Sequence, residues 1–310
     1  MKITDPVFHD AELAREHLEA QRWANGRFCP HCGETENTKE LAGTKHRPGL
    51  YQCNSCRQQF TVTVGTVFER SKIALNKWLM ATFLMSSSKK GMSAHQMHRM
   101  LGVTYKTAWF MAHRIREAMK VANPGPMGGE GKVVEADETY IGGKERNKHR
   151  SKRKAGNIGG VGKLAVFSLV ERDGKVRSTH VKSVTTKNLR SLLVAQLKEG
   201  TKVMTDGAGQ YRHLNRDFPH ATVNHEAGEY VRGEVYTNTI EGYFSIMKRG
   251  INGVYHHISE QHLKRYLAEF DFRYNERHVS DTERTEAALK GIEGKRLTYR
   301  RTNGQTAYHG

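Results

Sequence analysis

VVEADETY, residues 133–140, is the stretch on which the fold turns. It is a short apolar run that ends in acids, and runs of this kind read as strands. Just upstream, NPGPMGGEG (123–131) is a Pro/Gly linker and a natural domain boundary. Downstream, KLAVFSLV (163–170) and KVRSTHVKSV (175–184) flank ERDGK, whose Asp-Gly pair suits a tight hairpin turn. TTKNLRSLLVAQLKEG (185–200) reads as a helix that starts at a Thr cap and ends at Gly200. KVMTD (202–206) and HATVNH (220–225) read as further strands. NTIEGYFSIMKRG (238–250) and SEQHLKRYLAEFDFRYNER (259–277) read as helices, the second with Leu263, Tyr266, Leu267, Phe270 and Tyr274 at helical spacing. An α/β domain with a mixed sheet is expected over 125–280, followed by a polar tail over 281–310.

Three acids fall where this pattern would present them. Asp137 and Asp206 sit at or near the ends of strands, and Glu241 sits in the first turn of a helix. Mg²⁺ prefers oxygen ligands and keeps several waters, so a few carboxylates suffice to hold it. Two such ions can activate an attacking oxygen and stabilise a leaving one in phosphoryl transfer. Lys248, seven residues after Glu241, shares its helix face. Other readings stand beside this one. Asn238 and Glu241 form a capping-box relative, and a first-turn Glu suits the helix dipole. Lys248 is either a solvated lysine or a point charge for a phosphate. Glu226, Glu229 and Glu234 compete from the preceding loop. Glu138 points to the opposite strand face from Asp137 and is not expected to be a ligand. His256 and His257 suit either DNA contact or a polar loop.

The rest of the chain points to a polyanion. Lys and Arg total 50 against 32 acids, a net charge of +18, which favours nucleic acid or an anionic surface. No apolar run approaches the ~20 residues of a membrane span, and the N-terminus does not read as a signal peptide. A cytoplasmic, nucleoid-associated location is expected. All four cysteines lie in two C-x-x-C knuckles, Cys29/Cys32 and Cys53/Cys56, separated by 20 residues. That is zinc-ribbon spacing and predicts one structural Zn²⁺, with His31 on the surface. Residues 1–70 then form an N-terminal helix and ribbon. Residues 71–124 read as three helices with Gly102 at a turn, a helix-turn-helix DNA-binding region. Lys106, His113, Arg114 and Arg116 on its third helix are the candidate DNA contacts. GKERNKHRSKRK (143–154) adds Lys144, Arg146, Lys148, Arg150, Lys152, Arg153 and Lys154 as phosphate contacts that do not read sequence. Arg249 joins them beside Lys248. GNIGGVGK (156–163) departs from a phosphate-binding loop in spacing and lacks the Ser/Thr, so nucleotide hydrolysis is not expected.

The strings CPHCG, YQCNSCRQQFTVTVGTVF, ADETYIGGK, TDGAGQY, HEAGEYVRGEVYTNTIEGYFSIMKRGINGVYHH and YLAEFDFRYNER occur in order from Cys29 to about Arg277. The chain resembles a bacterial insertion-sequence transposase of the DDE type, in the ISXO-type group with an N-terminal zinc ribbon. The resemblance implies an RNase H-like catalytic fold, with Asp137, Asp206 and Glu241 as Mg²⁺ ligands and Lys248 as the accompanying basic residue. It also implies binding to the inverted repeats of a mobile element. The expected function is Mg²⁺-dependent DNA cleavage and strand transfer by a homodimer or larger assembly on double-stranded DNA, with Mn²⁺ able to substitute. The alternatives are a non-catalytic DNA-binding regulator and an RNase H-like nuclease.

Overall fold

The structure is a computed structural model that describes residues 1–143, 147–153, 160 and 162–298, apart from the side chains of Lys152 and Glu226. Two compact units emerge. One comprises residues 1–121 with the chain from Val279 onward, and the other residues 122–278.

In the first unit, helix α1 (Ala11–Arg22) is capped by Asp10, whose carboxylate accepts the amides of Glu12 and Leu13 at 2.7 and 3.0 Å. Strands β1 (Thr38–Glu40), β2 (Tyr51–Cys53) and β3 (Gln59–Phe60) form a small antiparallel sheet. Trp23 sets its edge on Tyr51, with ring centroids 5.2 Å apart, and Tyr51 stacks on Phe60 at 5.7 Å. Helices α2 (Leu75–Ser87), α3 (Ala94–Leu101) and α4 (Tyr105–Met119) follow. Ser93 caps α3 and Thr104 caps α4 through their hydroxyls. Between them Gly102 takes the left-handed conformation at φ 59°, which a glycine adopts without steric cost.

The C-terminal segment corrects the sequence reading. A helix, Asp281–Lys290, replaces the expected polar tail, and it packs against α2 and α4. Ser280 and Glu283 close a full capping box at its start. Its inward side is fixed by Arg284, which donates to the Ser86 carbonyl at 3.1 Å.

The second unit is built on strands β4 (Val133–Ile141), β5 (Leu164–Glu171), β6 (Val176–Val181), β7 (Lys202–Asp206) and β8 (His220–Val223), in the order β6-β5-β4-β7-β8. The first three are antiparallel, and β4, β7 and β8 are parallel. The β5–β6 turn places Asp173 at φ 56°. Helix α5 (Thr186–Gln196) covers one sheet face, burying Leu189 and Leu193 against Val134, Ala136 and Phe167. Strands β9 (Val231–Arg232) and β10 (Val235–Tyr236) form a short hairpin absent from the sequence reading. Helices α6 (Asn238–Gly250) and α7 (Glu260–Asn275) cover the other face with Tyr243, Met247, Leu263 and Phe270. A π-helical turn, Ile251–Tyr255, follows α6.

Strand β6 is an edge, and α7 satisfies it. Asn275 accepts the Val176 amide at 2.7 Å and donates to its carbonyl at 3.1 Å. Asp271 accepts the Ser178 amide at 2.8 Å and hydroxyl at 2.7 Å, and the Tyr243 hydroxyl at 2.6 Å. Backbone groups that would pair with another chain are thus occupied. Among the described residues, no helix is long and apolar enough to cross a membrane.

Candidate active site

Strand register brings the first two acids level. Val134 of β4 pairs with Val203 of β7 in a parallel ladder, and Asp137 and Asp206 each lie three residues further on. The two strands stop pairing after Glu135 and Met204, so both carboxylates stand at the opening between them. The third acid comes from α6. Its N-cap is Thr237, and Glu241 lies one residue beyond the third helical position. The capping-box reading of Asn238 and Glu241 is therefore replaced. The amide of Ile240 is instead accepted at 2.9 Å by Glu135 of β4, whose other oxygen takes the Thr239 hydroxyl at 2.9 Å.

Freed from capping, Glu241 lines an open cleft of about 760 Å³ with Asp137, Glu138, Lys248 and Arg249. Its Oε1 accepts the Thr237 hydroxyl at 3.2 Å and lies 3.6 Å from His225 Nε2. The π-turn residues Asn252 and Gly253 complete one wall. π-helical turns are frequent at functional sites.

The electrostatics of the cleft are strained. Burial pushes the Asp137 carboxyl up to about 8, reinforced by the charges of Glu138, Asp206 and Glu241 and opposed by the Glu138 amide, which donates to it at 2.7 Å. Burial also raises Glu138, opposed by hydrogen bonds from Tyr211 and Gln210. Carboxylate oxygens, with the nitrogen His225 Nε2 beside Glu241, are of the kind a hard divalent cation such as Mg²⁺ prefers. The donor types fit such a group, while among the described residues only the four cysteines bring three or more ligand atoms within 4.8 Å of one another.

The cysteines form a separate metal cluster. Their four sulfurs lie within 4.8 Å of one another. The Cys29–Cys56 and Cys32–Cys53 sulfurs are both 3.7 Å apart. Four thiolates on a tetrahedron with ~2.3 Å Zn–S bonds would be about 3.8 Å apart. The donor set fits zinc.

The ISXO2-like transposase domain matches residues 128–275, which include β4, β7, α6 and α7. The transposase zinc-ribbon domain matches residues 10–59, including all four cysteines. An uncharacterized protein in transposable element ISH50 of Halobacterium salinarum is 33% identical over 275 residues, covering 85% of this chain and 90% of the relative. The chain belongs to the ISXO2-like family of insertion-sequence transposases.

In this transposase the basic candidates divide. His113 and Arg116 were expected to face DNA, but both are buried, at 1% and 2% exposure. Arg114 is turned inward as well, donating to the carbonyls of Glu69 at 3.0 Å and Leu297 at 3.2 Å, with its guanidinium over the Phe110 ring. The reason is that α4 is flanked by α2 and the C-terminal helix, which the sequence reading left as a tail. Lys106 alone of that group is exposed. In the basic loop, Arg150 and Arg153 are exposed and Lys148 is half-buried, its carbonyl accepting from Arg153 at 2.9 Å. Lys144, Arg146 and Lys154 lie outside the described residues, as does the Lys152 side chain. His256 takes φ 58° directly after the π turn, and both it and His257 are exposed.

Sequence reasoning missed Glu135, Arg172, Tyr211 and His225. The only sequence signal for Glu135 was its place two residues before Asp137, on the same strand face.

Replacing Cys29 or Cys53 with Ser in the full-length transposase should lower zinc content from one ion per chain toward zero. The ribbon over residues 29–60 should lose its amide protection, because a small module relies on its metal for folding energy, while residues 122–278 stay folded. Elemental analysis and hydrogen exchange check this; well-folded wild-type protein free of zinc would refute it.

Proposed function

We propose that this transposase binds the inverted-repeat ends of its insertion sequence and cuts and joins DNA strands at the Asp137–Asp206–Glu241 cleft. The observation that carries the reading is one cleft that Asp137 of β4 and Glu241 of the first turn of α6 line beside Lys248 and Arg249, with Asp206 level with Asp137 on the neighbouring parallel strand and its charge acting on that carboxyl. The strand order of the second unit, with its first strand central and its fourth parallel to it, supports an RNase H-like catalytic domain. Asp137, Asp206 and Glu241 would hold two Mg²⁺ ions. When bound, these supply activation of the attacking oxygen and stabilisation of the leaving one.

The chain's own residues would supply position and charge. Lys248 would hold a phosphate as a point charge and Arg249 would grip its neighbour. Water would first displace the 3′-oxygen of a phosphodiester at the element end, leaving a 3′-hydroxyl. That hydroxyl would then attack a target phosphodiester in line, displacing a second 3′-oxygen. Two ends must react together, so a homodimer or larger assembly on double-stranded DNA is expected. Incubation with labelled element-end DNA and Mg²⁺ or Mn²⁺ tests the reading: nicked and joined products support it. Folded, DNA-bound protein that yields neither in either metal would overturn it.

Recognition of the ends is assigned to the α3–α4 pair as a helix-turn-helix. From Arg70 to Arg116 the chain has no Asp or Glu but nine Lys or Arg residues. Its outward side carries Arg99, Tyr105 and Lys106, with His95 stacked on Tyr105 at 4.3 Å. Tyr105 and Lys106 stand at the start of α4, where a recognition helix meets base edges, and Arg99 and His95 lie on α3. Lys106→Ala should therefore erode the preference for element ends over random DNA. Arg116→Ala should instead cost stability, roughly 0.5–3 kcal/mol for a buried residue, and leave that preference unchanged. Fluorescence anisotropy on both DNAs and thermal melts separate the two outcomes.

A further inference from the structure

The stretch Glu135-Ala-Asp137-Glu138 holds two acids to which the proposed chemistry gives no part. Glu135 is fully buried and makes three bonds. Its carboxylate accepts the Ile240 amide and Thr239 hydroxyl, each at 2.9 Å, and Arg172 Nε at 2.8 Å. Those first two partners open α6, immediately before Glu241. Arg172 extends the grip, donating to the carbonyls of Glu234 at 2.8 Å and Tyr236 at 2.9 Å with its guanidinium 3.6 Å from the Tyr236 ring. The chain leading into α6 is thereby fastened too.

Glu138, on the opposite face of β4, does the corresponding thing to the other segment. One oxygen accepts from Gln210 Nε2 and the other from the buried Tyr211 hydroxyl at 2.6 Å. Gln210 and Tyr211 follow Asp206 by four and five residues. One strand thus reaches both neighbours: forward to the Glu241 segment through Glu135, and sideways to the Asp206 segment through Glu138.

We propose that Glu135 and Glu138 are positioning residues that fasten the Asp206 and Glu241 segments to β4, so that Asp206 and Glu241 are held toward Asp137 before any cation arrives. The physical need is plain. Like charges repel, and a site works only when its supporting shell holds the ligands in place. The inference rests on reading the cleft as a metal site, but its test can fail separately.

The test uses the full-length transposase, with hydrogen exchange and Mn²⁺ calorimetry. In Glu138→Ala, amides 206–212 should exchange faster while 237–242 stay protected. In Glu135→Ala the pattern should reverse. Should that variant fold poorly, Thr239→Val, which deletes one bond of the clamp, should show the same pattern more weakly. Mn²⁺ affinity should fall by ~10–100-fold in the alanine variants, the range for partners that orient metal ligands. Glu138→Gln keeps an acceptor for the Tyr211 hydroxyl and should recover affinity to within about threefold of wild type. If Glu138→Gln bound as weakly as Glu138→Ala, Glu138 would be a ligand and the assignment would fall. Unchanged exchange in the targeted segments would also overturn it. Wild-type protein that bound no Mn²⁺ would count against the metal cleft itself, with the exchange pattern still deciding the clamps.

Discussion

Asp137→Asn, and separately Asp206→Asn, is expected to remove strand cleavage and joining from the transposase, while element-end binding persists. Asparagine keeps the size of the side chain and removes the charge a hard cation needs. Partners that merely orient metal ligands cost up to ~100-fold in activity when lost, so loss of a ligand should exceed that. The variants should also remain folded. Burial and three neighbouring acids already disfavour the Asp137 carboxylate, so a neutral residue there relieves repulsion instead of creating it. Lys248→Ala supplies the contrast. It would lose a phosphate contact and no metal ligand, and residual activity should remain. Gel assays on labelled end DNA, with thermal melts alongside, read all three. Wild-type cleavage by Asp137→Asn would sink the assignment.

Local chemistry made much of this protein legible in its sequence. Paired cysteine knuckles need no distant information, and the structure brings their four sulfurs together. Apolar runs such as KLAVFSLV become β5, and the Asp-Gly turn at 173–174 follows it. Asp206 ends β7 as its sequence suggests, while β4 runs on four residues past Asp137 to Ile141, held by its antiparallel pairing with β5. What was hidden depends on contacts far apart in the chain. Glu135 meets Thr239 and Ile240 more than 100 residues away. His113 and Arg116 belong to a basic helix whose periodicity does not show which side will be covered. The cover includes the helix at 281–290, almost at the other end of the chain. That helix does carry a local sign, the Ser280-x-x-Glu283 capping box, beside a highly polar composition. The β9–β10 hairpin is two residues per strand, too short for periodicity to register.

Glu241→Gln should abolish cleavage, by more than ~100-fold on the same reasoning, and leave stability within about 0.5 kcal/mol of wild type. The two halves of this expectation come from one structural fact. A glutamate in a first turn ordinarily earns its place by capping, where glutamine serves nearly as well. Here the helix start is satisfied by Glu135, which takes the Ile240 amide and the Thr239 hydroxyl. The Glu241 side chain is left 45% exposed in the cleft, accepting the Thr237 hydroxyl and lying beside His225. Glutamine can keep the Thr237 bond through its carbonyl oxygen, so the fold should not register the change. Only a role that needs negative charge should be lost. Single-turnover cleavage and joining in Mg²⁺, set against thermal melts, separate these roles. Wild-type rates in Glu241→Gln would remove Glu241 from the site and turn attention to Asn238 or Glu234. Lost activity in a protein that melts like wild type would place the third charge of the cleft on α6.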